Sequence, residues 1–219
     1  LISAGVLATA PGGHGTEYGF EIETLTKPEQ AQAWVDKRIA EGSHFIKIVI
    51  EHGGAGYKFN SLDIATVEAL IKAAHQRKKL AVVHIGTFEE AKAALAVGAD
   101  GLVHLYVGST ISEEQSKELI ALAKKNKSFV IPTMSVLESM AGIKAQDVMN
   151  DAGMMAYLTK TQTLPLGAPY GNAEKSQLMV APKKLSAALY AAKVPVLAGT
   201  DAGNRGTQYG ISLHHELAV

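Results

Sequence analysis

Six short runs rich in Val, Ile and Leu alternate with longer stretches whose apolar residues recur every three or four positions. That alternation constrains the chain more than any other feature. The runs are Leu1–Ala10, Phe45–Glu51, Leu80–Ile85, Gly101–Leu105, Ser128–Thr133 and Val194–Thr200. Their near-continuous apolar character is that of parallel strands covered on both faces. Between them, Pro28–Gly42, Leu62–Lys79, Thr87–Gly98 and Ser112–Asn126 have helical spacing. Thr26 and Pro28 open the first helix, Gly42 and Gly98 close the first and third, and the S-E-E-Q at Ser112–Gln115 is a capping box for the fourth. A long segment, Met134–Lys193, reads as a helical insertion with a Pro/Gly-rich stretch at Leu164–Gly171 and a helix over Pro182–Lys193. Regular βα alternation builds either an open doubly wound sheet or a (β/α) barrel. The glycine-rich Gly12–Gly19 breaks the dinucleotide-binding spacing at Tyr18 and opens no helix, and no phosphate-binding P-loop is present.

The 219 residues suit one domain, read here as residues 1–219 with the insertion at 134–193. Lys and Arg number 21, Asp and Glu number 21, and this balance argues against nucleic-acid or anionic-membrane partners. No cysteine is present, so disulfides, thiolate metal sites and a Cys nucleophile are excluded. No stretch approaches the length of a membrane-spanning helix. Leu1–Ala10 superficially resembles the end of a signal peptide but lacks a basic flank, and a buried strand is the expectation. The compartment stays open, with the cytoplasm as the default.

Charge and imidazole interrupt the apolar runs at particular places. Lys47 lies within Phe45–Ile50, His84 ends Leu80–His84, His104 ends Gly101–His104, and Asp201 follows Val196–Thr200. Each is at or near the C-terminal end of an expected parallel strand, where catalytic groups collect in a barrel. Singly, each has an ordinary reading: a hydrogen-bonded histidine, a helix-capping aspartate, a lysine reaching to the rim. Together they point to a site. Neutral imidazoles and a carboxylate ligate zinc or a similar divalent ion. A lysine ammonium cannot ligate, whereas its carbamate behaves as a carboxylate and can bridge two ions. A bound ion lowers the pKa of its water to near neutrality, giving a hydroxide nucleophile whose proton Asp201 could accept. His14, His44, His52 and His75 do not share the strand-end placement, and His214 and His215 read as capping or surface residues.

With these residues in place, the chain resembles the amidohydrolase superfamily, in its imidazolonepropionase-like and prolidase-like branch. The similar stretches are Pro11–Gly15 (PGGHG), Phe45–Ile48 (FIKI), Ala74–His84, Ala94–His104, Val194–Gly203 and Gly210–Leu217. The resemblance implies a metal-dependent hydrolase of amide or related C–N bonds on a TIM-type (β/α) barrel. It implies that Lys47 is the carboxylated bridging lysine and that His84 and His104 are the histidines of the second metal site. Asp201 would be the aspartate that binds the first metal and shuttles the proton. His14, Tyr57, Tyr106 and Arg205 are expected substrate contacts. The expected substrate is a small amide-type molecule, and the expected cofactor is zinc or another divalent metal, one or two ions.

The chain also departs from the family. The His-x-His of the family's first strand is absent, leaving Asp201 as the remaining terminal ligand of the first metal. The six runs correspond to the third to eighth strands of a barrel that closes with eight. The expectation is therefore an incomplete barrel that forms a homo-oligomer or pairs with a missing segment. Two other functions stay open: a non-catalytic remnant or binding module, and a Schiff-base lyase with Lys47 as its amine.

Overall fold

The structure is a computed structural model that describes residues 1–54 and 56–219. The chain divides into two compact units: residues 1–104 with 117–130, and residues 105–116 with 131–219.

The first unit is built on β1 (Ile46–Val49), β4 (Ala81–His84), β5 (Gly101–Val103) and β6 (Phe129–Ile131), which form one sheet in that order. A two-stranded ribbon, β2 (Gly53–Gly54) and β3 (Tyr57–Lys58), follows β1. β1 pairs in parallel with β4, Ile46 opposite Ala81 and Val49 opposite His84, and β4 pairs in parallel with β5, His84 opposite Val103. Ile46, Ile48, Val49, Ala81, Val82 and Val83 are all buried, as the absence of period-two alternation requires of strands covered on both sides.

Helices α1 (Ala31–Ala40), α2 (Ile64–Gln76), α3 (Phe88–Ala96) and α4 (Glu113–Asn126) intervene between these strands. The apolar spacing becomes packing directly: Ala31, Trp34 and Val35 of α1 are buried, and so are Val67, Leu70, Ile71 and Ala74 of α2. Asp63 caps α2 by accepting a hydrogen bond from the Thr66 amide at 2.7 Å, and Thr87 caps α3 by accepting from Glu90 N at 3.2 Å. The capping box before α4 is present, with Ser112 N donating to Gln115 Oε1 and Gln115 N to Ser112 Oγ.

Two expected strands do not form ladders. Residues 1–10 run beside β1, with His44 N donating to Ser3 O and Ala8 N to Lys47 O, but only Ala8 forms a bridge, to Ile48. Gly5 has φ 66°, which turns the backbone out of the extended conformation between those contacts. Residues 194–200 carry a single bridge residue, Val196, and Leu197 is 45% exposed. Pro195 has no amide to donate, so a regular ladder through this segment loses one bond from the start. Among the described residues, four of the six expected strands form one α/β sheet with parallel pairing, and no closed barrel is seen.

The second unit carries α5 (Met134–Met140), α6 (Gln146–Met149), α7 (Ala152–Met155), α8 (Lys160–Leu166), α9 (Val180–Ala191) and α10 (Ser212–Glu216). Ala145, Val148 and Leu166 form a small core on which Met149, Met154, Met155 and Leu158 pack, the structural role that flexible thioethers fill well. Met140 is 42% exposed. His215, expected at the surface, is instead buried between carboxylates: Nε2 lies 2.8 Å from Glu138 and Nδ1 2.7 Å from Asp147. The flanking sequence gave no sign of these partners, which come from helices α5 and α6. Among the described residues, no helix is long and apolar enough to cross a membrane.

Candidate metal centre

The C-terminal ends of β1, β4 and β5 bring four donor side chains of the first unit together. His84 is the last residue of β4, His104 follows β5 directly, and Glu51 lies two residues past β1. His14 comes from the loop after residue 10. That loop is held by Gly13 N donating to Ala10 O at 2.9 Å and by Asn60 Nδ2 donating to Pro11 O at 2.7 Å. Gly13 is required there, because a Cβ would lie 2.5 Å from Thr9 Oγ1 and 2.7 Å from Asn60 O.

Glu51 is the hub. Its Oε2 lies 2.9 Å from His84 Nε2 and 3.6 Å from His14 Nδ1, and its Oε1 accepts a hydrogen bond from Tyr57 Oη at 3.2 Å. Its own amide donates to Ser61 Oγ at 3.2 Å, fixing the backbone as it leaves the sheet. The His84 ring sits 4.8 Å from the His14 ring and 4.8 Å, edge-on, from the His104 ring. His14 Nε2 lies 3.1 Å from Tyr18 Oη, and its Nδ1 is 2.7 Å from Glu17 Oε1.

The electrostatics keep the two strand-end imidazoles neutral. Burial holds His84 well below the ordinary histidine range, reinforced by the electrostatic effect of Lys47 and His14. Burial does the same for His104, with His84, Lys47 and His14 adding to it. At neutral pH both rings therefore offer a lone pair. Lys47, which acts on both rings, lies on β1 between Ile46 and Ile48.

One donor atom each from His14, Glu51 and His84 lie within 4.8 Å of one another. Metal–ligand bonds of about 2.1 Å in a tetrahedron put donors roughly 3.4 Å apart, so closing the group on an ion needs side-chain shifts of about an ångström. The donor set fits a divalent ion of the zinc type.

The structure thus gathers His84, His104 and, with its hydroxyl on Glu51, Tyr57, with Lys47 on the adjacent strand β1. His14 enters as a potential ligand and not only as a substrate contact. Glu51 is the residue that reading the sequence missed. It closes an apolar run and looks like an ordinary polar strand end, and only its position four residues after Lys47 could have drawn attention to it. Asp201, Tyr106 and Arg205 belong to the second unit. Asp201 is exposed at the start of a loop, with φ 51°, and accepts from Asn204 Nδ2 at 2.9 Å. Tyr106 Oη is buried, and burial pushes its pKa up to about 12. Arg205 is exposed, donates to Ala168 O and stacks over Tyr170.

No protein-family model matches the sequence, and no curated protein matches it. Solved structures share its fold. A Xaa-Pro dipeptidase with bound methionine in the active site is 19% identical at TM-score 0.62, over 99% of this chain and 50% of that one. A putative prolidase from Bifidobacterium longum is 21% identical at TM-score 0.62, over 99% and 48%. The A. niger ochratoxinase is 19% identical at TM-score 0.63, over 93% and 46%. A further neighbour is an amidohydrolase, 14% identical at TM-score 0.57, and the chain shares the fold of part of each of these structures. The chain spans about half the length of the solved structures it matches.

Proposed function

We propose that this chain, sharing its fold with part of an amidohydrolase domain, carries the metal centre of a hydrolase that cuts C–N bonds in small amide-type molecules. The observation that supports this most is the convergence of two neutral imidazoles, a third histidine and one carboxylate at the C-terminal ends of three parallel strands. The donors available to zinc or a similar ion are His14, Glu51, His84 and His104, with Lys47 alongside, enough for one ion or two.

A divalent ion bound there would polarise a substrate carbonyl and bring the pKa of a water toward neutrality. The residues of the chain supply the rest. Glu51 accepts hydrogen bonds and can hold a proton at Oε1, where the Tyr57 hydroxyl already donates. Tyr57 is 45% exposed, so the same hydroxyl can reach an incoming substrate. His104, 8% exposed, packs edge-on against the His84 ring beside the group. The role of Asp201 as proton acceptor, and those of Tyr106 and Arg205 as substrate contacts, are proposed on the sequence resemblance alone. A second copy, or further chain, is proposed as the partner of the open sheet edges.

The test is hydrolysis of a panel of Xaa-Pro dipeptides and N-acyl amino acids, by the chain and by any longer polypeptide that contains it. Activity should disappear on chelation, return with zinc, and fall by about a hundredfold or more in His84→Ala. Stoichiometric metal with no hydrolysis in any of these proteins would instead favour a binding module that has lost its chemistry.

A further inference from the structure

We propose that Glu51, with His14 and His84, supplies the anionic ligand set for a single divalent cation, so that a carbamate on Lys47 is not needed. This rests on the metal-dependent reading above and changes which residue carries the negative charge.

Three observations support it. First, the carboxylate lies between the two imidazoles, 2.9 Å from His84 Nε2 and 3.6 Å from His14 Nδ1, about an ångström of side-chain movement from a ligand position. Second, it is pre-positioned: Glu51 is 9% exposed, Tyr57 donates to its other oxygen, and Ser61 accepts from its amide. A metal ligand whose second oxygen is hydrogen-bonded by a neighbour keeps its orientation without the ion. Third, His14 Nδ1 already faces carboxylates, 2.7 Å from Glu17 Oε1 and 3.6 Å from Glu51 Oε2, while Tyr18 engages the opposite nitrogen. On binding, this nitrogen would exchange Glu17 for the ion. Two imidazoles and one carboxylate form a three-residue set with a coordination position left over, the composition found in open zinc sites.

The charge count makes the proposal decidable. Two neutral histidines and one carboxylate leave a dication with one net positive charge. A carbamate at Lys47 would cancel that charge, whereas an ammonium would oppose binding. Replacing Lys47 therefore has opposite consequences in the two cases: loss of a ligand weakens the cation, and loss of a like charge does not.

The experiment is titration of the metal-free chain with Co²⁺, read by calorimetry and by the ligand-field absorption of the bound ion. It is done with and without bicarbonate, and ¹³C-labelled bicarbonate is used to look for a carbamate resonance. Glu51→Gln should weaken Co²⁺ by about a hundredfold, the scale of losing a ligand and its orientation. Lys47→Met should bind Co²⁺ as tightly as the unaltered chain or more tightly. The unaltered chain should bind one ion equally with and without bicarbonate, and should show no carbamate resonance when loaded. These last two readings need no variant, so they stand even if Glu51→Gln fails to fold. A tenfold or greater weakening in Lys47→Met, or a carbamate resonance that appears on loading, overturns the proposal while leaving the metal-dependent reading intact. Failure of the unaltered chain to bind Co²⁺ under either condition overturns both.

Discussion

His215 is the side chain whose surroundings differ most from its sequence context. Glu138 and Asp147 flank its two ring nitrogens, and Lys183 reaches the other oxygen of Glu138 at 3.1 Å. Burial favours the neutral ring, but the hydrogen bond to Glu138 and the close carboxylate of Asp147 outweigh it and raise the pKa. Glu138 and Asp147 are lowered, their own burial being outweighed by His215 and, for Glu138, by Lys183. The histidine contribution is complete below the ordinary histidine pKa and is lost as pH rises through the raised folded value. The carboxylate contribution is complete above the ordinary carboxylate range and is lost as pH falls through the lowered folded values. His215→Gln should therefore cost about 3 kcal/mol by urea denaturation where both contributions are complete, roughly pH 5 to 6. The difference from the unaltered chain should shrink toward both pH extremes; a pH-independent difference would sink this account. At the candidate metal centre, Lys47, His84 and His104 stood out in the sequence because a charge or an imidazole in an apolar strand needs a reason. Glu51 was not, since its partners His84 and His14 are 33 and 37 residues away and sequence spacing does not measure distance in space.

The elements followed local rules closely wherever those rules are short-ranged. Helices α2, α3 and α4 begin within two residues of the positions expected from their caps and apolar spacing, and the capping box at Ser112 formed as its residues require. Asp63→Ala removes the acceptor for the Thr66 amide and should lower stability by about 1 kcal/mol. It should shift the urea midpoint without changing the slope, since the surface exposed on unfolding is unchanged. A shift below a few tenths would mean that solvent satisfies the amide equally well. Strands were harder. Residues 1–10 and 194–200 have the composition of strands, but a ladder needs a neighbour in register along its whole length. Gly5 in a left-handed conformation and Pro195 without an amide interrupt that register. An apolar run signals burial; it cannot say which neighbour will accept its hydrogen bonds.

For the whole molecule, the balance of 21 basic and 21 acidic residues, the missing cysteine and the βα order confine the chain to a neutral α/β protein with His, Asp, Glu and Lys as its metal chemistry. In the four-stranded sheet, β1 and β6 each ladder on one side, and the bridge at Ala8 covers only part of the β1 edge. Leu1 and Ile2 in the first unit, and Tyr157, Leu164, Tyr209 and Leu217 in the second, are at least 70% exposed. Unpaired strand edges and exposed apolar side chains both favour association. Light scattering at micromolar concentration should therefore give at least twice the mass of one chain; a stable monomer there would count against self-pairing. The βα order, the caps, the absence of thiol chemistry and the polar strand ends were written in the sequence, because each depends on residue type and short spacing. Which strands ladder, the burial of His215 and the meeting of Glu51 with His14 and His84 depended on tertiary structure. These are contacts between residues tens of positions apart, brought within a few ångströms by helices packing on a parallel sheet in the first unit and on one another in the second.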